Sequence, residues 1–175
     1  MIRLFLDVYR LENAEITVSW ALLDVAPVVD EVLRQQARMA ELHGVTLVTT
    51  GHAAPLPSDV ALVQRIVDNL VDNAIRHARS RVEVTVRDGD EALEVDVTDD
   101  GAGIADEVKG RLFDKFASMS ADLRGYNQGL GLTFCALASR RLGGEVVALD
   151  NPPAGSRFRL RLPRGVGDGA APTPA

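Results

Sequence analysis

The chain has 175 residues, 46% apolar and 25% charged, which suits one globular domain with a sizeable core. A net charge of −6 argues against a nucleic-acid surface, which needs a basic face. The single cysteine, Cys135, excludes an intrachain disulfide and a cysteine-rich zinc site, no apolar run is long enough to span a bilayer, and the N-terminus lacks a signal peptide's order of charges and apolar residues, so a reducing, cytoplasmic setting without membrane contact is expected.

Residues 1 to 13 read as the end of a helix with an apolar stripe of Leu4, Phe5, Val8 and Leu11. Alone it is too short to be stable, so it must pack on its own domain or on a second copy. A short strand is expected around Ile16 and Val18. Asp24 then reads as the N-cap of a helix with Pro27 in its first turn, ended by Gly44. "VTLVT" (45–49) is a strand, and "APLPSD" is a turn whose Ser58 or Asp59 caps a long helix reaching about Ala78.

"RVEVTV" (81–86) and "ALEVDVT" (92–98) alternate apolar and polar residues, as strands with one buried face do. A polar, glycine-containing stretch over 99–128 holds one amphipathic piece, "EVKGRLFDKF". A helix over 130–142 ending at Gly143 and Gly144, then strands over 145–149 and 157–162, complete the domain. The expected fold class is α+β: a two-layer sandwich in which helices cover one face of a mixed, mostly antiparallel sheet. Residues 1–14 are set apart as a helix end, 15–163 as the domain and 164–175 as a disordered-looking tail.

Three glycine-bearing turns follow strands or open helices: "DDGAGI" (99–104), "NQGLGL" (127–132) and "PAGSRF" (153–158). Each alone is weak, because turns need glycine for backbone reasons. Neither GxxxxGK[ST] nor a strand-following GxGxxG is present. In combination with "DNLVDNA" (68–74), "RLFDKF" (111–116) and "GSRFRLRLP" (155–163), however, their order and spacing are specific. The set resembles the ATP-binding catalytic domain of sensor histidine kinases, in the Bergerat-type superfamily of gyrase, chaperone and mismatch-repair ATPases. The resemblance covers about residues 15 to 163, and "LFLDVYRLENAEI" (4–16) resembles the end of those kinases' second dimerisation helix.

The resemblance implies ATP and Mg2+ as cofactors, and the Bergerat form of the two-layer sandwich. Asn73 takes the place of the magnesium ligand, with a hard carboxamide oxygen suited to a cation bridging phosphates. Asn69, one turn earlier, would meet the metal's water shell or the phosphates; the plainer alternative is a helix residue satisfied by solvent. Arg76 corresponds to a phosphate contact, and His77 lies beside the nucleotide in relatives. Asp99 would accept from the adenine amino group and repel guanine's carbonyl. Gly101 and Gly103 let backbone approach the base, beside Ile104. Gly129, Leu130, Gly131 and Leu132 end the lid and begin the phosphate-holding helix, and Ser156 stands where relatives often have threonine. Phe113 and Phe116 match the lid's aromatic element, which relatives use to meet the histidine-bearing helix. Lys115 and Arg124 are lid cations within reach of phosphate, and Asn127 replaces a glycine common in relatives.

Asn69 also separates members of the superfamily. Hydrolysing relatives usually carry glutamate there, and a neutral amide cannot take a proton from water. Transfer to histidine is therefore expected over a slow ATPase. The alternative is an ATP-binding regulatory module without catalysis. None of His43, at a helix end, His52, in a loop, or His77 sits in an acceptor-like motif. The implied partners are a histidine-containing dimerisation domain, whether a preceding segment or another chain, and a response regulator. A homodimer through the N-terminal helix is a further expectation, and a full-length parent could be membrane-anchored.

Overall fold

A computed structural model describes residues 2–13, 15–114 and 130–165. The elements run α1 (Ile2–Glu12), β1 (Ala21–Leu23), α2 (Val25–His43), β2 (Thr46–His52), β3 (Leu56–Ser58), α3 (Val60–His77), β4 (Arg81–Asp88), β5 (Ala92–Asp99), α4 (Asp106–Lys109), α5 (Gly131–Arg141), β6 (Glu145–Asp150) and β7 (Ser156–Pro163).

Five strands form one sheet in the order β2-β4-β5-β7-β6. Only β2 and β4 are parallel; the other neighbours are antiparallel. The register puts Val84 opposite Val97, and Val97 opposite Phe158, so buried side chains line up across the sheet. This inward face meets the buried stripe of α3, which includes Ile66, Leu70, Val71 and Ile75, and the buried side chains of α2 and α5. The outward face carries charge instead. Arg87, Glu94, Arg161 and Glu145 follow one another across four strands, and Arg159 grips Asp96 at 2.7 and 2.9 Å. One apolar face against helices and one charged face in solvent is the α+β sandwich that the alternation predicts.

Three local expectations are corrected. Residues 15–20 form no strand; the strand is Ala21–Leu23, which pairs antiparallel with Leu56–Ser58. The stretch read as a plain turn over 54–59 therefore contains β3. His52 ends β2 instead of lying in a loop. The caps hold as expected. The Asp24 carboxylate accepts from Ala26 N at 3.2 Å, Asp59 accepts from Ala61 and Leu62, and Gly44 ends α2 in the left-handed region.

α1 folds onto its own domain. Val8 and Leu11 are buried, whereas Phe5, Leu6 and Tyr9 remain about half exposed. Among the described residues, no helix is long and apolar enough to cross a membrane.

Candidate functional site

α3 buries one stripe of its surface and leaves Asn69, Asn73 and His77 half-buried on its flank. β5 ends beside this flank at Asp99, and the chain turns through Gly101 across the end of α3. A side chain at Gly101 would collide with the His77 carbonyl, so only glycine permits this crossing. From the other side, β7 begins at Ser156. Between them lies a cavity of about 310 Å³ lined by Asn73, His77, Gly103, Ile104, Ser156 and Phe158, with Ala102 completing the wall.

Asp99, only 2% exposed, does not itself line this cavity but is bonded to Ser156, which does. Its Oδ1 accepts from Gly101 N at 2.8 Å and from Ser156 N at 3.3 Å, and its Oδ2 accepts from the Ser156 hydroxyl. A carboxylate offers about four acceptor positions, and three are taken. The remaining one lies on Oδ2, next to the hydroxyl that lines the cavity. Asn73 also lines the cavity, and its carboxamide makes no hydrogen bond among the described residues.

The other expected site residues that the structure describes, Asn69, Arg76, Gly101, Leu130, Gly131 and Leu132, do not line this cavity. Asn69 donates from Nδ2 to the Arg65 carbonyl at 2.7 Å. Its Oδ1 faces the start of α5, where a Cβ on Gly131 would come within 2.9 Å of it. Leu132 is buried, and Leu130 packs partly buried against the core. Arg76 pairs with Asp72 one turn back at 3.0 Å, and that contact raises its pKa. Phe113 turns its ring edge to Phe158, 6.3 Å between centroids, and so packs behind the cavity wall. Lys115, Phe116, Arg124, Asn127 and Gly129 lie outside the described residues.

The model of the family described as histidine kinase-, DNA gyrase B-, and HSP90-like ATPase matches residues 58–166, which hold every element of this cavity. The chain belongs to this ATPase family. It is similar to the signal transduction histidine-protein kinase AfsQ2 of Streptomyces coelicolor, 38% identical over 100 residues, covering 57% of this chain and 19% of that protein. It is also similar to the sensor histidine kinase component HK1 of Mycobacterium tuberculosis, 34% identical over 101 residues, 58% of this chain and 60% of that one. The chain thus spans less than two thirds of either relative. Its fold matches full-length ShkA in complex with AMPPNP, with a TM-score of 0.82 over 98% of this chain and 36% of that one. At 23% identity, that likeness is one of fold. The sensor-kinase resemblance drawn from the motifs is borne out.

Three supports of this ATPase domain had no obvious mark in the sequence. Asp100 accepts from the N–H groups of Arg79, Ser80 and Arg81 and from the Ser80 hydroxyl, all within 3.1 Å. It therefore pins the α3–β4 turn to the end of β5. Desolvation pushes its pKa up, but the Ser80 hydroxyl and the three N–H groups outweigh this and hold it well below the ordinary value. A carboxyl depressed in the fold contributes its full stabilisation above the ordinary aspartate pKa of about 4, and loses it as pH falls further. Asp100→Asn is expected to cost about 1–2 kcal/mol at pH 7, a fall of roughly 3–6 °C in Tm. In thermal melts the gap to the parent chain should narrow between pH 4 and pH 2; a constant gap contradicts the role.

The second support is Arg65. Its guanidinium meets Asp7 of α1 at 2.7 Å and lies 4.3 Å over the Phe134 ring of α5, while its carbonyl holds Asn69. The third is Lys109, which bridges Asp106 at 2.5 Å and Asp150 at 2.8 Å and so ties α4 to the end of β6. Cys135 is wholly buried, which pushes its thiol pKa up and leaves it a core residue.

Proposed function

We propose that this chain is the catalytic domain of a sensor histidine kinase, which binds Mg-ATP and passes the γ-phosphoryl group to a histidine of a dimerisation domain. The observation that carries the proposal is the buried Asp99 carboxylate, with one acceptor position unspent, bonded to Ser156 of a cavity that Asn73 also lines. That position suits the amino group of adenine, and it repels the carbonyl that guanine presents there. Ile104 and Phe158 give the base apolar walls, with His77 beside it.

The donor set also fits magnesium. Among the described residues, no group of three or more histidine, cysteine or acidic side chains can cage a metal. Mg2+ is typically bound with few protein ligands, the rest being water and phosphate. Asn73 Oδ1 would hold it. When bound, the ion would neutralise charge on the phosphates. The eleven-residue helix α5 opens at Gly131, and its free N–H groups and dipole favour phosphate oxygens there. Gly131 lets that helix start approach Asn69 closely.

Transfer needs no carboxylate base on α3. A neutral imidazole nitrogen attacks, the N–P bond forms as the bond from the γ-phosphorus to its bridging oxygen breaks, and ADP departs. Asn69 cannot deprotonate water, and the neighbouring Asp68 accepts from Gln36 of α2 at 2.7 Å, away from Asn73. Both facts favour transfer over hydrolysis.

Residues 1–14 would be the end of the dimerisation helix, 15–163 the kinase domain and 164–175 a tail, with a response regulator as the next acceptor and a homodimer formed through α1. Incubation of the chain with γ-labelled ATP and a histidine-bearing dimerisation domain should place label on the acceptor histidine. Nucleotide binding without any transfer would instead make the chain a regulatory module.

A further inference from the structure

The five-stranded sheet ends on β2 at one side and on β6 at the other, and the two edges differ. β6 begins at Glu145 and ends at Asp150, charges of the kind that keep an edge from pairing with another chain. β2 has no charged residue from Thr46 through Gly51, and its threonine, leucine and valine favour strand pairing. All of its residues are exposed or half-exposed. The Thr46 N–H donates to the Ser80 carbonyl at 2.8 Å, toward β4. Alternation along the strand therefore turns the peptide groups of Leu47 and Thr49 to the open edge. Gly51, at φ 77°, takes a left-handed backbone near the end of β2, while its pairing with β4 continues to His52.

Next to the edge runs a groove of about 570 Å³ between α2 and β2. Ala37 and Ala40 are too small to fill the space over Leu33 and Leu47, so the floor is apolar. The two charged side chains that line it are both carboxylates, Asp30 and Glu41, both exposed. Neither has an ion-pair partner among the described residues.

We propose that β2 and this groove form a docking site for an extended, basic polypeptide segment that adds to the sheet as a sixth strand. Its backbone would pair with Leu47 and Thr49, an apolar side chain would enter the groove over Ala37, and basic side chains would meet Asp30 and Glu41. A second copy of the chain fits less well. Antiparallel pairing of two β2 strands about Val48 would set Asp30 of one copy toward Glu41 of the other, like charge against like. The site lies on the opposite edge of the sheet from β6 and shares no residue with the nucleotide cavity.

The test is an NMR titration of the 15N-labelled chain with an end-blocked hexapeptide of alternating lysine and valine, and with its glutamate–valine counterpart. The lysine peptide should give saturable shifts over residues 46–50 and slow the amide exchange of Leu47 and Thr49, with the glutamate peptide at least tenfold weaker. Thr49→Pro removes an outward N–H and should abolish the effect. The charge-reversed pair Asp30→Lys with Glu41→Lys lies on the exposed helix surface, so it keeps the test open if the proline variant does not fold. It should weaken the lysine peptide at least tenfold and leave ATP binding unchanged, which separates this result from any failure of the nucleotide site. Equal shifts with both peptides, no shift over 46–50, or shifts centred on Glu94 and Asp96 would overturn the proposal. Concentration-dependent shifts of Leu47 and Thr49 without peptide would overturn it too, by giving the edge to a second copy.

Discussion

Asn73→Ala is expected to reduce phosphoryl transfer at least a thousandfold while the domain stays folded. Asn73 is half-buried on the flank of α3, beside but not within the apolar stripe, so its truncation leaves Leu70, Val71 and Ala74 packed as before. What goes is the side-chain amide oxygen that Asn73 brings to the cavity. Phosphoryl transfer depends on charge neutralisation and alignment, and each ~1.4 kcal/mol lost from the transition state is a factor of ten in rate. Under the proposed role of Asn73 as a cation ligand, a loss of ~4 kcal/mol or more reaches the stated factor. Asn73→Asp is the informative companion, because it keeps an oxygen in place and should retain more activity than alanine. Circular dichroism and thermal melts check the fold; full transfer by Asn73→Ala would remove Asn73 from the site.

Asp99→Asn should lower ATP affinity by roughly 10- to 100-fold and erode the preference for ATP over GTP. The effect is large because the carboxylate is buried and its acceptor positions are nearly all in use. An amide in its place keeps one oxygen but turns an NH2 toward either the Gly101 N–H or the Ser156 hydroxyl. Toward the Gly101 N–H, donor faces donor at a cost of about 1.5–3 kcal/mol; toward the Ser156 hydroxyl, which can accept, the NH2 instead presents a donor where the adenine amino group would need an acceptor. Because the same bonds fix the "DDGAGI" turn to β7, Asp99→Asn should also melt several degrees lower than the parent. Ser156→Ala separates the two effects: it removes the hydroxyl but keeps the charge, so it should retain the choice of adenine. Competition binding with ATP and GTP reads both variants, and unchanged selectivity in Asp99→Asn would contradict the role.

Much of this molecule is legible in its sequence, for physical reasons that differ by element. The long strands show because alternation survives wherever one face is buried, and "RFRLRL" places Phe158, Leu160 and Leu162 inward with arginines outward. α3 shows through its Asp59 cap and its apolar period. β1 and β3 do not, because three residues carry too little pattern, and the pairing of Leu22 with Pro57 is a tertiary fact. The cavity was readable only as a combination of motifs, and Phe158, a wall of it, looked like an ordinary core strand residue.

The supporting contacts were hidden for another reason. Asp7 and Arg65 are far apart in sequence but 2.7 Å apart in space, and nothing local marks either. Asp100 carries only the weak mark of an aspartate just after a strand, which often serves nearby N–H groups. Arg76, expected as a phosphate contact, meets Asp72 on its own helix, a pairing that the i,i+4 spacing itself suggests.

The measurement that bears most directly on the cavity is calorimetric titration of the chain with ATP and with GTP, each with and without Mg2+. Saturable heat for ATP, strengthened by the metal and absent or far weaker for GTP, is the expected outcome. No heat with ATP at any attainable concentration, or equal heats for the two purines, would contradict the placement of adenine at Asp99 and of the cation at Asn73.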